Sequence, residues 1–380
     1  MKKLFTYFLF LLMAFSFTLK AQTDEGYKFT ITKQLPATSV KNQAGTETCY
    51  TFSAISMIES ELLRTGKGEY DLSEMFMVRN FYIEKAERYM RFHGLVAFPT
   101  GGEANNTFDY FAKVGLVPEE AYPGLNYGSP MHNHGELHTV LEGFVQSITE
   151  KGKKSSTMWK KGIEALLNTW LGDYPVNFTY KGKSYTPQSF AKELELNPDD
   201  YILVTSFTHK PLYQKSILDM PDNWDMSSAY NVAFDDLERI IDYSIENGYT
   251  LVWSSDLGGG QAISSEGIYV VPQQDCSRMK REEIAPLFKN IIPEKTITPE
   301  IRQKAYDSFQ TTDDHAMHLL GIAKDQNGNK FYYVKNSWGA GGKYNGYLYV
   351  SVPFIRLSTT SLLLNKHGVP KDILQKLGIE

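Results

Sequence analysis

The most apolar run of the chain comes first. LFTYFLFLLMAFSFTL, Leu4 to Leu19, follows Lys2 and Lys3 and is followed by the small Ala21. A basic start and an apolar stretch slightly under the ~20 residues of a membrane-spanning helix predict a signal peptide over residues 1–21, cleaved near Ala21, with an uncleaved anchor as the alternative. No later segment is as apolar, so no transmembrane anchor is expected. No cysteine lies near the cleavage point to carry a lipid. Further on the apolar positions take up a period. Phe52, Ile55, Ile58 and Leu62 recur three and four residues apart, which predicts a helix with one apolar face. Glu59, Glu61 and Arg64 fall mostly off that face, and Gly66 supplies a stop. The preceding NQAGTET reads as a loop, with Thr48 placed to cap the helix and Cys49 in its first turn.

The pattern changes again in DDHAMHLLGIAKDQNGNKFYYVKNSWG, Asp313 to Gly339. Two strand-like runs flank Asn327-Gly328, a hairpin signal. His315 lies near the start of the first run and Asn336 just past the second, so a hairpin brings them together. Between about Tyr122 and Thr250, helical runs such as Ala229 to Glu246 alternate with polar loops. The last residues, VPKDILQKLGIE, predict a short helix with Pro370 in its first turn and Ile373, Leu374 and Leu377 on one face. No internal repeat or long low-complexity segment interrupts these patterns.

Composition narrows the function classes. With 380 residues, 42% hydrophobic and 22% charged, the chain can hold one large domain or two lobes around a cleft. Losing Lys2, Lys3 and Lys20 with the signal peptide moves the formal charge from −5 to −8. That acidity, without a dense basic run, gives no support to nucleic-acid binding. The cluster Lys151 to Lys161 is short, broken by SSTM, and reads as a solvated loop or helix face.

Cys49 is the candidate nucleophile. Unpaired N–H groups and the dipole at a helix start favour an anion, which predicts a lowered thiol pKa. Two alternatives stay open on these grounds: a disulfide with Cys276, or a small buried residue. Gln43 and the Cys49 N–H are candidate donors to an oxyanion, although Gln43 could equally serve only its loop. His315 is the candidate base and Asn336 the group that orients it. His318 competes, but strand alternation puts it on the face opposite His315. His132, His134 and His138 have spacings that suit zinc, yet no fourth ligand is evident, so a solvated loop entering a helix is expected and no metal. Gly258–Gly260 lacks the strand–glycine–helix context of a phosphate loop and reads as a turn.

The order Q-x5-C at a helix start, then DHA, then KNSWG resembles the papain-like cysteine peptidases. The resemblance implies an oxyanion-hole role for Gln43, nucleophile for Cys49, base for His315 and orienting amide for Asn336. It also implies that Trp338 shields the Asn336–His315 contact and that Gly101 and Gly102 lie on the substrate cleft. Cys49 and His315 stand 266 residues apart, well beyond the ~130–150 of papain and cathepsins. That spacing points to the bleomycin hydrolase and aminopeptidase C branch. LSEMFMVRNFYIEKAERYM, GGEANNTFDYFAKVGLVPEEAYPG, TPQSFAKEL and GYTLVWSSDLGG are similar to stretches of that branch. Tyr50 follows the nucleophile where the family usually has Trp.

The expected fold is therefore α+β and papain-like, with a helical lobe and a β-barrel-like, strand-rich lobe. Residues 22–380 form the peptidase domain, about 122–250 being an insertion on the outside of the cleft and about 251–360 the strand-rich lobe. The expected activity is peptide-bond hydrolysis through an acyl-thioester on Cys49, by an exported enzyme, periplasmic or secreted, that needs no cofactor. The branch implies an aminopeptidase and a hexameric cage. It also implies a C-terminal arm in the cleft that anchors the substrate amine, an arm nearly absent here. A cysteine endopeptidase and a catalytically silent envelope binding protein are the alternatives.

Overall fold

The computed structural model describes residues 26–150, 154–259 and 261–379. The predicted signal peptide lies outside them. Helix α1, Cys49–Arg64, begins at the candidate nucleophile. Its stop follows the glycine signal: Gly66, at φ 74°, lets the Gly66 and Lys67 N–H groups bond back to the carbonyls of Leu63 and Leu62. Its other expected property fails. Glu59 and Glu61 are 0% and 2% exposed, because α1 runs through the core with protein on all sides.

A carboxylate buried without partners costs several kcal/mol, on the order of the whole stability of a domain. Both are partnered. Glu59 accepts from the Thr38 hydroxyl at 2.5 Å, the Leu72 N–H at 2.9 Å and Lys41 Nζ at 3.2 Å. Lys41 also meets Asp71 at 2.7 Å and Glu74 at 2.8 Å, and Glu61 pairs with Arg64 at 2.7 Å. The partners of Glu59 come from the segments before and after the helix, where helical periodicity gives no hint of them, and Glu61 finds its partner one turn on in α1 itself.

Helix α2, Glu74–Arg91, starts at Ser73, whose hydroxyl caps the Phe76 N–H at 3.0 Å. With α3, Asn105–Val114, it packs beside α1 in an apolar cluster that includes Ile55, Ile58, Phe76, Phe81 and Phe108. Against these helices lies one long sheet. Its strand His315–Lys324 pairs antiparallel with Leu251–Ser255 on one side and with Lys330–Lys335 on the other. The hairpin forms, with Gly328 at φ 84° in the Asp325–Asn329 connection. α1 lies against this central strand, so the head of the helix meets the start of the strand.

The middle of the chain departs from the expected helices and loops. Tyr201–Thr205 joins the main sheet beside Thr359–Asn365, with Ser228–Asn231 parallel to it and Gln214–Ile217 at the edge. Ala229 to Asn231 is therefore strand, and the helix starts only at Phe234. Asn231 explains the break: its side chain bonds the Phe207 N–H at 2.7 Å and the Phe207 and Lys210 carbonyls at 2.9 Å, which holds the chain extended there.

Candidate active site

The register of the central strand puts His315 opposite Ser255 at the end of the sheet. Asn336 follows the neighbouring strand, and its Oδ1 accepts from His315 Nε2 at 2.7 Å. The Ser337 N–H donates to the same oxygen at 2.8 Å, which fixes the amide. Nδ1 is thereby left as the ring nitrogen available to a thiol. Trp338, 53% exposed, stacks on the imidazole with ring centroids 4.7 Å apart and planes at 29°. His318, three residues on, is fully enclosed and bonds Ser56 through Nδ1 at 2.8 Å.

Cys49 and Cys276 are both free thiols, so no disulfide joins them. Cys276 packs in a separate cluster with Phe288 and Ile292. The Ala316 N–H points at Cys49 Sγ at 3.4 Å, so the residue after the candidate base reaches the candidate nucleophile. The electrostatics differ from the helix-start expectation. Burial pushes the Cys49 thiol up, the Ala316 N–H opposes this, and Asp222 and Asp314 push it further up. Burial pushes His315 down, against the Asn336 bond and Asp314. Both shifts favour the neutral thiol–imidazole pair.

Gln43 is buried in the loop before α1. Its N–H donates to the Ser337 carbonyl at 2.8 Å, and its Oε1 accepts from the Ser337 hydroxyl at 2.6 Å. The amide Nε2 is the end left for an oxyanion. Thr48 does not cap α1; its hydroxyl meets Thr46 Oγ1 at 2.6 Å instead. No hydrogen bond fills the Cys49 N–H among the described residues, so it too is free to donate.

The histidine-rich segment helps to hold this loop: Gly45 bonds the His132 carbonyl at 3.1 Å and accepts from the His134 N–H at 2.9 Å. His134 is 1% exposed, not solvated as expected, and its ring sits 3.2 Å from the Tyr82 hydroxyl. Among the described residues no group of three His, Cys, Asp or Glu could hold a metal. Gly258 caps a turn on Asp256 at 2.8 Å, and Gly260 is outside the described residues.

A cleft of about 460 Å3 joins these groups, its walls including Gln43, Cys49, Gly101, Gly102, His315 and Trp338. Three lining or supporting residues carry no sequence signal. Lys85 is buried beneath the glycine strip and donates to the carbonyls of Pro99, Thr100 and Gly101 at 3.0, 3.1 and 2.7 Å. Burial brings its pKa down to about 7, against the pull of Asp222 and Asp225. Glu103 lines the cleft and is 2% exposed. Asp222 lines it too, although it belongs to the stretch expected outside the cleft. Tyr50, in place of the family's usual Trp, packs under the strip, so that a Cβ on Gly102 would crowd its ring at 2.9 Å.

Residues 88–380 match the Peptidase C1-like family. That span includes His315 and Asn336 and begins after Cys49. The chain is 22% identical to an aminopeptidase W of Lactobacillus delbrueckii subsp. lactis, an alignment covering 92% of this chain and 85% of the other. It is 21% identical to an aminopeptidase C of Lactococcus lactis subsp. lactis, covering 88% and 82%. Among solved structures, PepW from Lactobacillus rhamnosis superposes with a TM-score of 0.67 at 19% identity, over 92% of this chain and 84% of that one. That likeness shows a common fold.

Proposed function

The chain belongs to the Peptidase C1-like family, and from that premise we propose that it is an exported cysteine aminopeptidase, periplasmic or secreted. The observation that carries the chemistry is the meeting of Cys49 Sγ with the Ala316 N–H at 3.4 Å while the adjacent His315 is held by Asn336 at 2.7 Å. A thiol and an oriented imidazole converge from a helix start and a strand start. The similarity to aminopeptidases W and C supports removal of residues from free amino termini. Export rests on the signal-like sequence of residues 1–21.

In this reading Cys49 Sγ attacks the scissile carbonyl carbon, and its proton passes to His315 Nδ1. The carbonyl oxygen takes the negative charge and receives hydrogen bonds from Gln43 Nε2 and the Cys49 N–H. Collapse of the adduct breaks the C–N bond, and His315 gives its proton to the departing amine, leaving a thioester. Water then attacks the thioester carbon while His315 takes a proton and returns it to the sulfur. Asn336 and Trp338 keep the imidazole in place throughout.

The test pairs one peptide with its N-acetylated form, assayed under reducing conditions with wild type and Cys49→Ala. Wild type should release the amino-terminal residue of the free peptide only, and Cys49→Ala should release nothing. Equal cleavage of both forms, or iodoacetamide labelling of the active protein on Cys276 alone, overturns the reading. Export is tested separately, by whether the mature amino terminus of the cell-fractionated protein lies near Gln22.

A further inference from the structure

We infer that the Asp222 carboxylate receives the protonated α-amine of the substrate, and that the segment carrying it closes the cleft behind that amine. The inference rests on the aminopeptidase reading and names the group that would enforce it.

Asp222 sits between edge strand Gln214–Ile217 and strand Ser228–Asn231, in a segment braced from within and from both walls of the cleft. Within it, Asn223 donates to the Leu218 carbonyl at 2.7 Å and the Ser227 carbonyl at 2.9 Å. On the helical side, Asn106 of α3 donates to Asp225 at 2.8 Å. On the strand side, the Asp222 N–H donates to Asp313 at 2.6 Å, two residues before His315. The segment thus spans the cleft from the glycine strip to the approach of the histidine.

The carboxylate lies directly on Gly101. A Cβ added there would overlap the Asp222 carboxyl group, its nearest neighbours being Oδ2, Cγ and Oδ1 of that residue. Gly101 is not among the positive-φ residues, so no turn demands its glycine. The space taken by Asp222 does. A substrate backbone following the strip away from Cys49 therefore runs into a carboxylate.

That carboxylate has no partner of its own. Among the described residues no hydrogen bond and no ion pair reaches its oxygens. Lys85, whose charge it feels, has three N–H donors and uses them on the carbonyls of residues 99, 100 and 101. The charged neighbours facing Asp222 are otherwise acidic: Asp313 and Glu47. A half-buried anion among anions is costly, and a cation arriving in the cleft relieves that cost. The α-ammonium of a peptide is a cation attached to a backbone already aligned with the strip. An acetylated terminus brings no charge and adds bulk where the carboxylate stands. Amine binding would also offset the Asp222 field that opposes ionisation of Cys49.

The test uses the full chain with Asp222→Asn, which keeps the shape and removes the charge, and Asp222→Ser, which removes both. Losing one charge-assisted contact should lower kcat/KM for the free peptide about tenfold to hundredfold, chiefly through KM. Circular dichroism and the thermal midpoint check that each variant folds, and Asp222→Ser stands in if Asp222→Asn does not. In Asp222→Ser the acetylated peptide should become a substrate. Wild-type preference retained in Asp222→Asn, with acetylated peptide admitted only by Asp222→Ser, would make the residue a wall and overturn the amine contact. Wild type that cleaves both peptides equally overturns the aminopeptidase reading along with it. Wild type that prefers free amines, alongside two folded variants that do so equally, overturns this inference alone.

Discussion

The Ser337 hydroxyl lies 2.6 Å from Gln43 Oε1, and the same serine accepts the Gln43 N–H on its carbonyl at 2.8 Å. One residue of the NSWG turn thereby sets both the position of Gln43, the proposed oxyanion donor, and the way its amide faces. Ser337→Ala removes the hydroxyl and lets the amide rotate. Turnover is expected to fall about tenfold with KM little changed, against roughly 10²–10³-fold for Gln43→Ala, which removes the donor outright. Steady-state kinetics on both variants provide the check. Wild-type turnover in Ser337→Ala would show that something else orients the amide.

His315 and His318 share a strand and should differ in every readout. His315→Ala is expected to lose several orders of magnitude in turnover, and Asn336→Ala less, because it orients the ring without moving a proton. His318 lies in the interior, where Ser56 joins it at 2.8 Å to Lys335 Nζ, itself 2.7 Å from the same hydroxyl. His318→Ala leaves that buried pair short of a partner, at a cost of about 1–3 kcal/mol. Urea unfolding should register this loss while turnover stays within a few-fold of wild type. Equal kinetic losses at the two histidines would contradict the register that faces only His315 to the cleft.

What the sequence made legible was chemistry that needs a given residue type at the end of an element. A thiol at a helix start, an imidazole at a strand start and an amide just past a hairpin each carry a local signal, and the structure gathers Cys49, His315 and Gln43 around one cleft, with Asn336 behind the imidazole. What stayed hidden depends on partners distant in the chain. The buried Glu59 is explained only by Lys41, Thr38 and Leu72. Asp222 enters from a segment whose brace, Asp313, lies 91 residues away. Lys85 looks like any polar residue of a helix until the carbonyls of residues 99–101 are set above it. Periodicity reports which face an element buries. It does not report which charge another segment brings to that face.

Glu103 makes the cleft's stability depend on pH. Burial pushes its carboxyl up to about 8 against one hydrogen bond from Ser361 at 3.1 Å, with Asp313 and Asp222 adding to the rise. A carboxyl raised in the folded state contributes stability that is fully present below its ordinary value near 4.5. That stability is lost as pH climbs through about 8. Glu103→Gln lacks this titration. Relative to wild type, the variant should gain on the order of a few kcal/mol in unfolding free energy between pH 5 and pH 8.5. Denaturant curves for both proteins at each pH decide it. A constant difference would mean that Glu103 stays ionised in the fold.

The helix Lys371–Leu377 docks on the body of the protein away from the cleft. Ile373 and Leu377 are buried in the cluster that holds Leu237, Ile240 and Ile241, and Asp372 pairs with Arg239 at 3.0 Å. The helix to which it docks, Phe234–Glu246, lines no part of the cleft. Gly378, at φ 67°, closes the helix by bonding the Gln375 carbonyl at 3.2 Å, and the Ile379 N–H bonds that of Leu374 at 3.0 Å. Residues through Ile379 are thus tied to the body of the strand-rich part, where an arm would have to leave it to meet the substrate. Deleting residues 378–380 should therefore leave the preference for free over acetylated amino termini unchanged. Leu377→Ala should cost about 2–5 kcal/mol of stability by emptying a core position, with the same preference in the protein that remains folded. A deletion that opens the cleft to acetylated or internal peptide bonds would show that the tail reaches the site, and would assign it a share of the selectivity given above to Asp222.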